Sequence, residues 1–152
     1  MQWSYIDFNA RTLTIPDPKN RQSHTLPFSG FLFDLLKRRS SKNIERGAFV
    51  FSGRGFEGYM DDPSKQMKLV VQESGVTFTP HDLRRIFITV AESLDISAYA
   101  LKRLANHKMT NDVTAGYIIG DAERLRAPMQ KITDYFLEKM QKKLMKVISH
   151  AG

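Results

Sequence analysis

The spacing of apolar residues changes near residue 29, and this change restricts the possible folds more than any other feature of the sequence. Before it, the segments YIDFNARTLTIP and HTLPF are rich in β-forming residues and are separated by turn residues. After it, apolar residues recur at helical spacing in segments bounded by a capping residue, a proline or a glycine. The sequence therefore predicts an α+β fold, mainly helical, in which a small antiparallel sheet over residues 5–28 packs against a helical core.

Six segments after the sheet carry helix-start signals. These signals are Ser29, Pro63, Thr79, Ser97, Asn111 or Asp112, and Asp121. The last helix is predicted to run almost to the end of the chain, with Pro128 inside it. An apolar residue recurs every four positions along it, at Ile132, Phe136, Met140 and Leu144. This stripe is expected to pack on its own domain or to dock on a neighbouring molecule.

The size and composition of the chain indicate one soluble globular domain. Its 152 residues can bury a sizeable core, and 41% hydrophobic and 26% charged residues are ordinary values for a soluble protein. The absence of cysteine excludes a disulfide framework and a thiolate nucleophile, and is typical of a reducing cytosol. Neither a signal peptide nor a membrane-spanning apolar stretch is recognisable. We therefore expect an intracellular protein without a membrane partner.

The chain carries a net charge of +7, from 23 Lys and Arg against 16 Asp and Glu. Such a surplus favours a polyanionic partner, and nucleic acid ranks ahead of a membrane surface. The alternative is a solvated basic surface without a partner.

The stretch TPHDLRR at residues 79–85 concentrates positive charge at a predicted helix start. Thr79 is placed to cap the helix, and Asp82 completes a capping box with Asp in place of Glu. His81 and Arg84 are three residues apart, so they share a face of the first turns, where unpaired backbone N–H groups already favour an anion. The buried face of this helix is predicted to comprise Leu83, Ile86, Phe87, Val90, Ala91 and Leu94.

Three further polar residues stand in a distinctive order around this pair: Lys19 in PDPKNRQSHTLPFS, His107 in LANH and Tyr117 in GYI. Each has an ordinary structural explanation when taken singly. In this order and spacing, and with the Trp-x-x-Ile-Asp opening, they resemble the catalytic domain of the tyrosine recombinase (phage integrase) family over nearly the whole chain. The signature of that family runs lysine, His-x-x-Arg, histidine or tryptophan, and then the nucleophilic tyrosine.

The resemblance implies cleavage of DNA without a metal or a cofactor. Such a reaction needs a nucleophile, an acid for the leaving sugar oxygen, and fixed positive charge at the phosphorane. By its match, Tyr117 is the nucleophile that forms a 3′-phosphotyrosyl bond, and His81 assists its deprotonation. Arg84 donates two parallel hydrogen bonds to non-bridging oxygens, His107 donates from the opposite side, and Lys19 is the general acid for the 5′-oxygen.

Two parts that the family leads us to expect have no match. No residue supplies the further catalytic arginine that the family has just before the strand at WSYID, and the amino-terminal DNA-clamping domain is absent. We therefore expect residues 1–152 to be a single, partial integrase catalytic domain, shortened by cloning design or by decay of a prophage gene, and poorly active or inactive alone.

The family also implies partners and a location. Its members act on double-stranded DNA as tetramers that exchange C-terminal helices, whereas this chain is expected to be a monomer or weak dimer. Its expected location is the bacterial cytoplasm, in association with the nucleoid.

The remaining polar residues carry less specific expectations. Arg85, Lys102, Arg103 and Lys108 are candidates for contacts with the DNA backbone, with a solvated face as the alternative. His24 is expected to be structural. The four histidines show no zinc spacing, and Asp61-Asp62 is better explained as a cap before Pro63 than as a magnesium site.

Two alternatives to a recombinase stay open on the sequence. The first keeps the fold without the catalysis, and describes a truncated domain that binds DNA weakly through its basic face. The second is a helix-turn-helix regulator with residues 80–94 and 97–105 as the helix pair. In that case Lys19 and Tyr117 have no reason to approach His81.

Overall fold

The computed structural model describes residues 1–16, 23–42, 47–53, 57–107 and 121–150. A 3-10 helix at Trp3–Tyr5 precedes strands β1 (Ile6–Asp7), β2 (Thr12–Ile15) and β3 (His24–Pro27). The helices are α1 (Gly30–Lys42), α2 (Ser64–Ser74), α3 (Pro80–Ser93), α4 (Ala98–Leu104) and α5 (Asp121–His150). This arrangement confirms the predicted α+β, mainly helical fold class.

The three strands form an antiparallel sheet in the order β1-β2-β3. Leu13 of β2 lies opposite Ile6 on one side and Leu26 on the other. The turn after β1 is closed by Asp7, whose carboxylate accepts hydrogen bonds from the backbone N–H groups of Asn9 and Ala10, both at 2.8 Å. The predicted sheet is therefore present. The predicted hairpin tip at Lys19 and the predicted helix at residues 111–119 lie outside the described residues.

Two hydrophobic clusters form the core of the described structure. The larger joins three helices through Val90, Ala91, Ala100, Leu104, Leu125 and Ile132. The smaller is formed by Phe28, Leu36 and Val50, with apolar residues of the sheet and α1 around it. The chain at β3 links the two, because Leu26 packs against the larger cluster and Phe28, just beyond the strand, belongs to the smaller one.

Helix α5 packs against β3, α3 and α4. Leu125 and Ile132 on its inner face are each only 1% exposed. Its polar residues also bond to its neighbours: Gln130 accepts a hydrogen bond from the backbone N–H of Gly30 at 2.9 Å, and the Lys131 ammonium donates to the carbonyl of Leu94 at 2.7 Å. The predicted apolar stripe is thus buried at Ile132, whereas Met140 further along is 57% exposed.

The predicted buried face of α3 is wrong in its first half. Val90 and Ala91 are buried, and Phe87 and Leu94 pack against the same cluster, as the helical spacing predicts. In contrast, Leu83 is 54% exposed and Ile86 is 49% exposed. The cluster that covers α3 takes its helical partners from α4 and α5, and the described parts of those helices cover only the C-terminal half of α3.

Within the described ranges, no helix combines the length and the apolar composition needed to cross a membrane.

A pair of identical substitutions tests whether the inner face of α5 carries the core. Leu125→Ala removes a side chain that is 1% exposed and should lower the free energy of unfolding by about 2–5 kcal/mol, because it removes apolar contacts and leaves a cavity. Leu69→Ala makes the same chemical change on α2, where the side chain is 59% exposed, and should change stability by about 0.5 kcal/mol or less. Urea denaturation of both variants measures the difference. Equal losses would show that α5 is not central to the core.

Candidate active site

A capping box sets the start of α3 and with it the position of His81 and Arg84. The Thr79 side-chain oxygen accepts from the backbone N–H of Asp82 at 3.3 Å, and the Asp82 carboxylate accepts from the backbone N–H of Thr79 at 2.9 Å. The Thr79 hydroxyl also donates to that carboxylate at 2.7 Å. Pro80 occupies the first helical position, where its missing N–H costs no hydrogen bond. The predicted cap is confirmed, and His81 and Arg84 lie exposed on the first turns of the helix.

Asp82 is the acidic residue of this basic helix end. Its hydrogen bonds from Thr79, with smaller contributions from the charges of Arg85 and His81, hold the pKa of its carboxyl below the ordinary value. Arg85 lies 3.9 Å from the Asp82 carboxylate, and its side chain is 72% exposed. Such an exposed pair stabilises little, because water and salt screen it.

The C-terminus of α4 ends in a Schellman motif that places His107. Asn106 takes a left-handed conformation with φ of 50°, and its N–H donates to the carbonyl of Arg103 at 3.1 Å. The N–H of His107 donates to the carbonyl of Lys102 at 2.9 Å. Asparagine tolerates this conformation better than most residues, which explains why the helix stops here. The motif leaves the His107 side chain exposed immediately after the helix.

One hydrogen bond joins the two helix ends. The Arg84 guanidinium donates from Nη2 to the carbonyl oxygen of Ala105 at 2.7 Å. Ala105 is the C-cap residue of α4, immediately after Leu104 and two positions before His107. Arg84 therefore holds the His107 turn against the first turns of α3, although 21 residues separate the two bonded residues along the chain.

This arrangement can bind an anion such as a phosphate. An arginine has five N–H donors, and the bond to Ala105 uses one of them. Within the described part of the chain, the structure shows no other hydrogen bond or ion pair from Arg84. Its remaining donors are exposed on the first turns of α3, as is the imidazole of His81 one turn earlier. The exposed His107 side chain belongs to the turn that the Arg84 bond holds against this helix end. Guanidinium and imidazole N–H groups are donors of the kind that bind a phosphate.

The other predicted site residues have varied positions. Lys102 is exposed and Arg103 is half-buried, both in the last turn of α4 and close in sequence to the His107 turn. Lys19, Lys108 and Tyr117 lie outside the described residues. His24, expected to be structural, is 4% exposed on β3.

The described residues show no group of three or more histidine, aspartate or glutamate side chains arranged to hold a metal ion. A groove of about 580 Å³ lies between α2 and the segment before α3, with Met67, Val71 and Phe78 among its lining residues. His81, Arg84 and His107 do not line this groove.

The contact that sequence reasoning missed is the carbonyl of Ala105. A backbone oxygen has no signature in a side-chain pattern, since every residue carries one. The sequence carried only an indirect signal for this contact. A capped helix that contains Arg84 is followed by a second helix that ends next to an asparagine.

The fold and the site are consistent with one class of protein, the catalytic domain of a tyrosine recombinase. The sequence model described as the phage integrase family matches residues 1–124. This match covers most of the 152 residues, and the chain belongs to the phage integrase family. Comparison with curated proteins and with solved structures gives no match.

Adjacent arginines provide a matched test of the bond between the helix ends. Arg84→Lys should lower the free energy of unfolding by about 0.5–1.5 kcal/mol and increase hydrogen exchange at residues 105–107, because the guanidinium Nη2 that donates to the Ala105 carbonyl is lost and a lysine ammonium does not occupy its position. Arg85→Lys is the control and should change stability by about 0.5 kcal/mol or less, since its side chain is 72% exposed. Hydrogen-exchange mass spectrometry with urea denaturation measures both effects. Unchanged exchange in Arg84→Lys would contradict the role assigned to the bond.

The lowered pKa of Asp82 predicts a pH-dependent contribution to stability. Because this pKa is lower in the folded than in the unfolded chain, the stabilisation by the carboxylate is present above the ordinary value of 3.8. It is lost as the pH falls through the lower, folded value. Asp82→Asn should therefore be less stable than the wild type at pH 7, and the two should converge in acid. Thermal unfolding at several pH values measures this, and a constant difference would contradict it.

Proposed function

We propose that the chain is a catalytic domain of a prophage-type, site-specific tyrosine recombinase that cuts and rejoins double-stranded DNA through a 3′-phosphotyrosyl intermediate. The observation that carries the proposal is the hydrogen bond from Arg84 to Ala105 in a member of the phage integrase family. This bond brings the His-x-x-Arg helix and the His107 turn to one place, as a phosphate site requires.

The proposed roles follow from the chemistry of phosphodiester cleavage. The Tyr117 oxygen attacks the phosphorus, and the bond from phosphorus to the 5′-oxygen breaks. His81 assists removal of the phenol proton, and Lys19 gives a proton to the departing 5′-oxygen. Arg84 and His107 stabilise the negative charge that develops on the non-bridging oxygens. Rejoining is the reverse reaction, with a 5′-hydroxyl as the attacking group and tyrosine as the leaving group.

The surface around the proposed site suits a DNA backbone. Arg85 on α3 and Lys102 and Arg103 on α4 add basic charge at the two helix ends, and we assign these residues, together with Lys108, to contacts with flanking phosphates. The net charge of +7 adds long-range attraction to a polyanion. In this proposal residues 1–152 are one partial catalytic domain, monomeric or weakly dimeric alone and tetrameric in the full-length recombinase, and the protein acts on the bacterial nucleoid.

The chain by itself is expected to cleave slowly. The family resemblance implies a further catalytic arginine that no residue of this sequence matches, and positive charge at the phosphorane is a large part of the rate enhancement in such reactions. A sensitive assay is therefore needed, in which the cleaved state accumulates.

Covalent trapping on DNA tests the proposal. The substrates are randomised duplexes in which one bridging 5′-oxygen is replaced by sulfur, a leaving group that departs without protonation and rejoins poorly. The wild-type chain should form an adduct that survives detergent, and Tyr117→Phe should abolish it because the nucleophilic oxygen is gone. Tyr135→Phe, the same change on α5, is the control and should form the adduct as the wild type does.

The outcomes separate recombinase from simple DNA binder. An adduct that persists in Tyr117→Phe would contradict the assigned nucleophile. DNA binding that weakens steeply with salt, with no adduct from any variant, would instead support the non-cleaving DNA-binding domain.

A further inference from the structure

A cluster of basic residues lies where the sheet meets α1. We call it the α1 cluster, and it comprises Arg11, in the turn between β1 and β2, with Lys37 and Arg38 on α1. All three residues are exposed. Arg11 is distant from the other two along the chain, so only the fold brings it to α1.

The ring of Phe33 brings two of these cations together. The Arg11 guanidinium lies 4.6 Å from the centre of this ring, and the Lys37 ammonium lies 5.6 Å from it. A cation within about 6 Å of the centre of an aromatic ring is attracted by its face. Phe33 is half-buried and packs against the smaller hydrophobic cluster. Two cations from separate elements are therefore held at one ring that the core fixes in place.

The backbone that carries Arg11 is anchored as well. The Arg11 carbonyl accepts a hydrogen bond from the backbone N–H of Phe28 at 2.9 Å. The Arg126 guanidinium of α5 donates to the neighbouring carbonyl of Ala10 at 2.7 Å. The Asp7 carboxylate closes the same turn by accepting from two of its backbone N–H groups. The turn therefore presents the Arg11 side chain from a fixed backbone.

No neighbouring acid neutralises the charges of the α1 cluster. Asp34 precedes Lys37 by three residues and Arg38 by four, spacings at which ion pairs commonly form on a helix. Among the residues that the structure describes, however, none of the three cations takes part in an ion pair, and Lys37 lies at the Phe33 ring instead. The cluster therefore keeps a surplus of exposed positive charge.

A cleft lies along α1 beside these residues. Its volume is about 370 Å³, and Phe31, Asp34, Lys37 and Arg38 are among its lining residues. The two α1 cations of the cluster therefore border the same concave surface, which an extended anion can reach from solvent.

The α1 cluster is separate from the candidate active site. Phe33 packs with the smaller hydrophobic cluster, whereas α3 and α4 are joined by the larger one. Across the described ranges of the chain, the structure shows no bond from the three cations to α3 or α4. A phosphate held at Arg84 would therefore leave the α1 cluster available to a different phosphate.

We propose that the α1 cluster is a second contact surface for the phosphate backbone of duplex DNA, separate from the His-x-x-Arg helix end. Fixed cations that lack an acidic partner bind DNA phosphates without regard to base sequence. DNA is the favoured polyanion because the chain belongs to the phage integrase family and carries a net charge of +7. The choice of DNA rests on the function proposed above. These contacts add affinity and take no part in bond cleavage.

Charge-matched variants test this surface. R11Q/K37Q removes two cations of the cluster, and K65Q/K68Q removes two exposed lysines of α2, so both variants have the same net charge. A third variant, K37Q/R38Q, leaves the turn between β1 and β2 intact in case R11Q/K37Q is unstable. Urea denaturation verifies that each variant is folded.

The first measurement is the salt dependence of binding, by fluorescence anisotropy with a labelled duplex. In R11Q/K37Q the slope of log affinity against log salt should be less steep by about 1.8, because two contacts no longer release counterions. K65Q/K68Q should keep the wild-type slope. An unchanged slope in both cluster variants, or an equal change in K65Q/K68Q, would overturn the proposal. Weaker binding of the cluster variants to anionic lipid vesicles but not to DNA would overturn it too.

The second measurement asks whether the two surfaces are separate. Distant groups that share no partner contribute additively, so R11Q/K37Q should weaken DNA binding by the same factor with and without Arg84→Gln. An effect that disappears in the Arg84→Gln background would indicate one shared site and overturn the proposal. If the wild type binds DNA but forms no phosphotyrosyl adduct, the proposed function fails, and the salt dependence still decides whether the α1 cluster contacts DNA.

Discussion

The packing of α5 against the rest of the chain is the interaction on which the described structure depends. Helix α4 has only seven residues and α3 has fourteen, lengths at which a helix in water is unstable or marginal by itself. Both gain their stability from the cluster around Leu125 and Ile132, the two most buried apolar side chains of α5. The same helix bonds to the start of α1, the end of α3 and the turn after β1. Loss of its inner face would remove the larger cluster that joins β3 to α3 and α4, while the smaller cluster would still hold the sheet against α1.

The candidate active site lies at helix ends and uses little of this hydrophobic burial. A capping box begins α3, a Schellman motif ends α4, and the Arg84 side chain joins the two. The N–H groups of the first turn of a helix and the carbonyl groups of its last turn have no partners within that helix. Motifs that bond to these groups also fix the path of the chain as it enters or leaves the helix. This precision suits the proposed phosphate site, which takes groups from two separate helices.

The basic side chains at the start of α3 are only weakly paired with acidic ones. Among the described residues, Asp82 is the acid at the start of α3, and its carboxylate is engaged mainly by the backbone and hydroxyl of Thr79. The Arg85 guanidinium lies 3.9 Å from this carboxylate, and the Arg85 side chain is mostly exposed. The fixed positive charge of Arg84 and Arg85 at this helix end favours an anion from outside the chain. Membership of the phage integrase family makes DNA the natural candidate.

Local motifs are the part of the structure that could be predicted. Thr79, Pro80 and Asp82 interact within a single turn, and Asn106 ends its helix through its own backbone conformation, so neighbouring residues contain all the necessary information. The burial of Leu83 and Ile86 was predicted wrongly from the same kind of spacing. Periodicity shows which face of a helix is apolar, whereas burial depends on which other elements reach that face.

The sequence by itself determined the fold class, the helix starts and stops, and the His-x-x-Arg pattern, because each is encoded in residues close together along the chain. Only the tertiary structure decided that Arg84 bonds to Ala105 and that Arg126 bonds to the turn after β1. Arg84 and Ala105 are 21 positions apart along the chain, and Arg126 and Ala10 are 116 positions apart. Their acceptors are backbone carbonyls, which every residue possesses, so no side-chain pattern can indicate which one is used. Their geometry follows from how α3, α4, α5 and the sheet pack around the shared core.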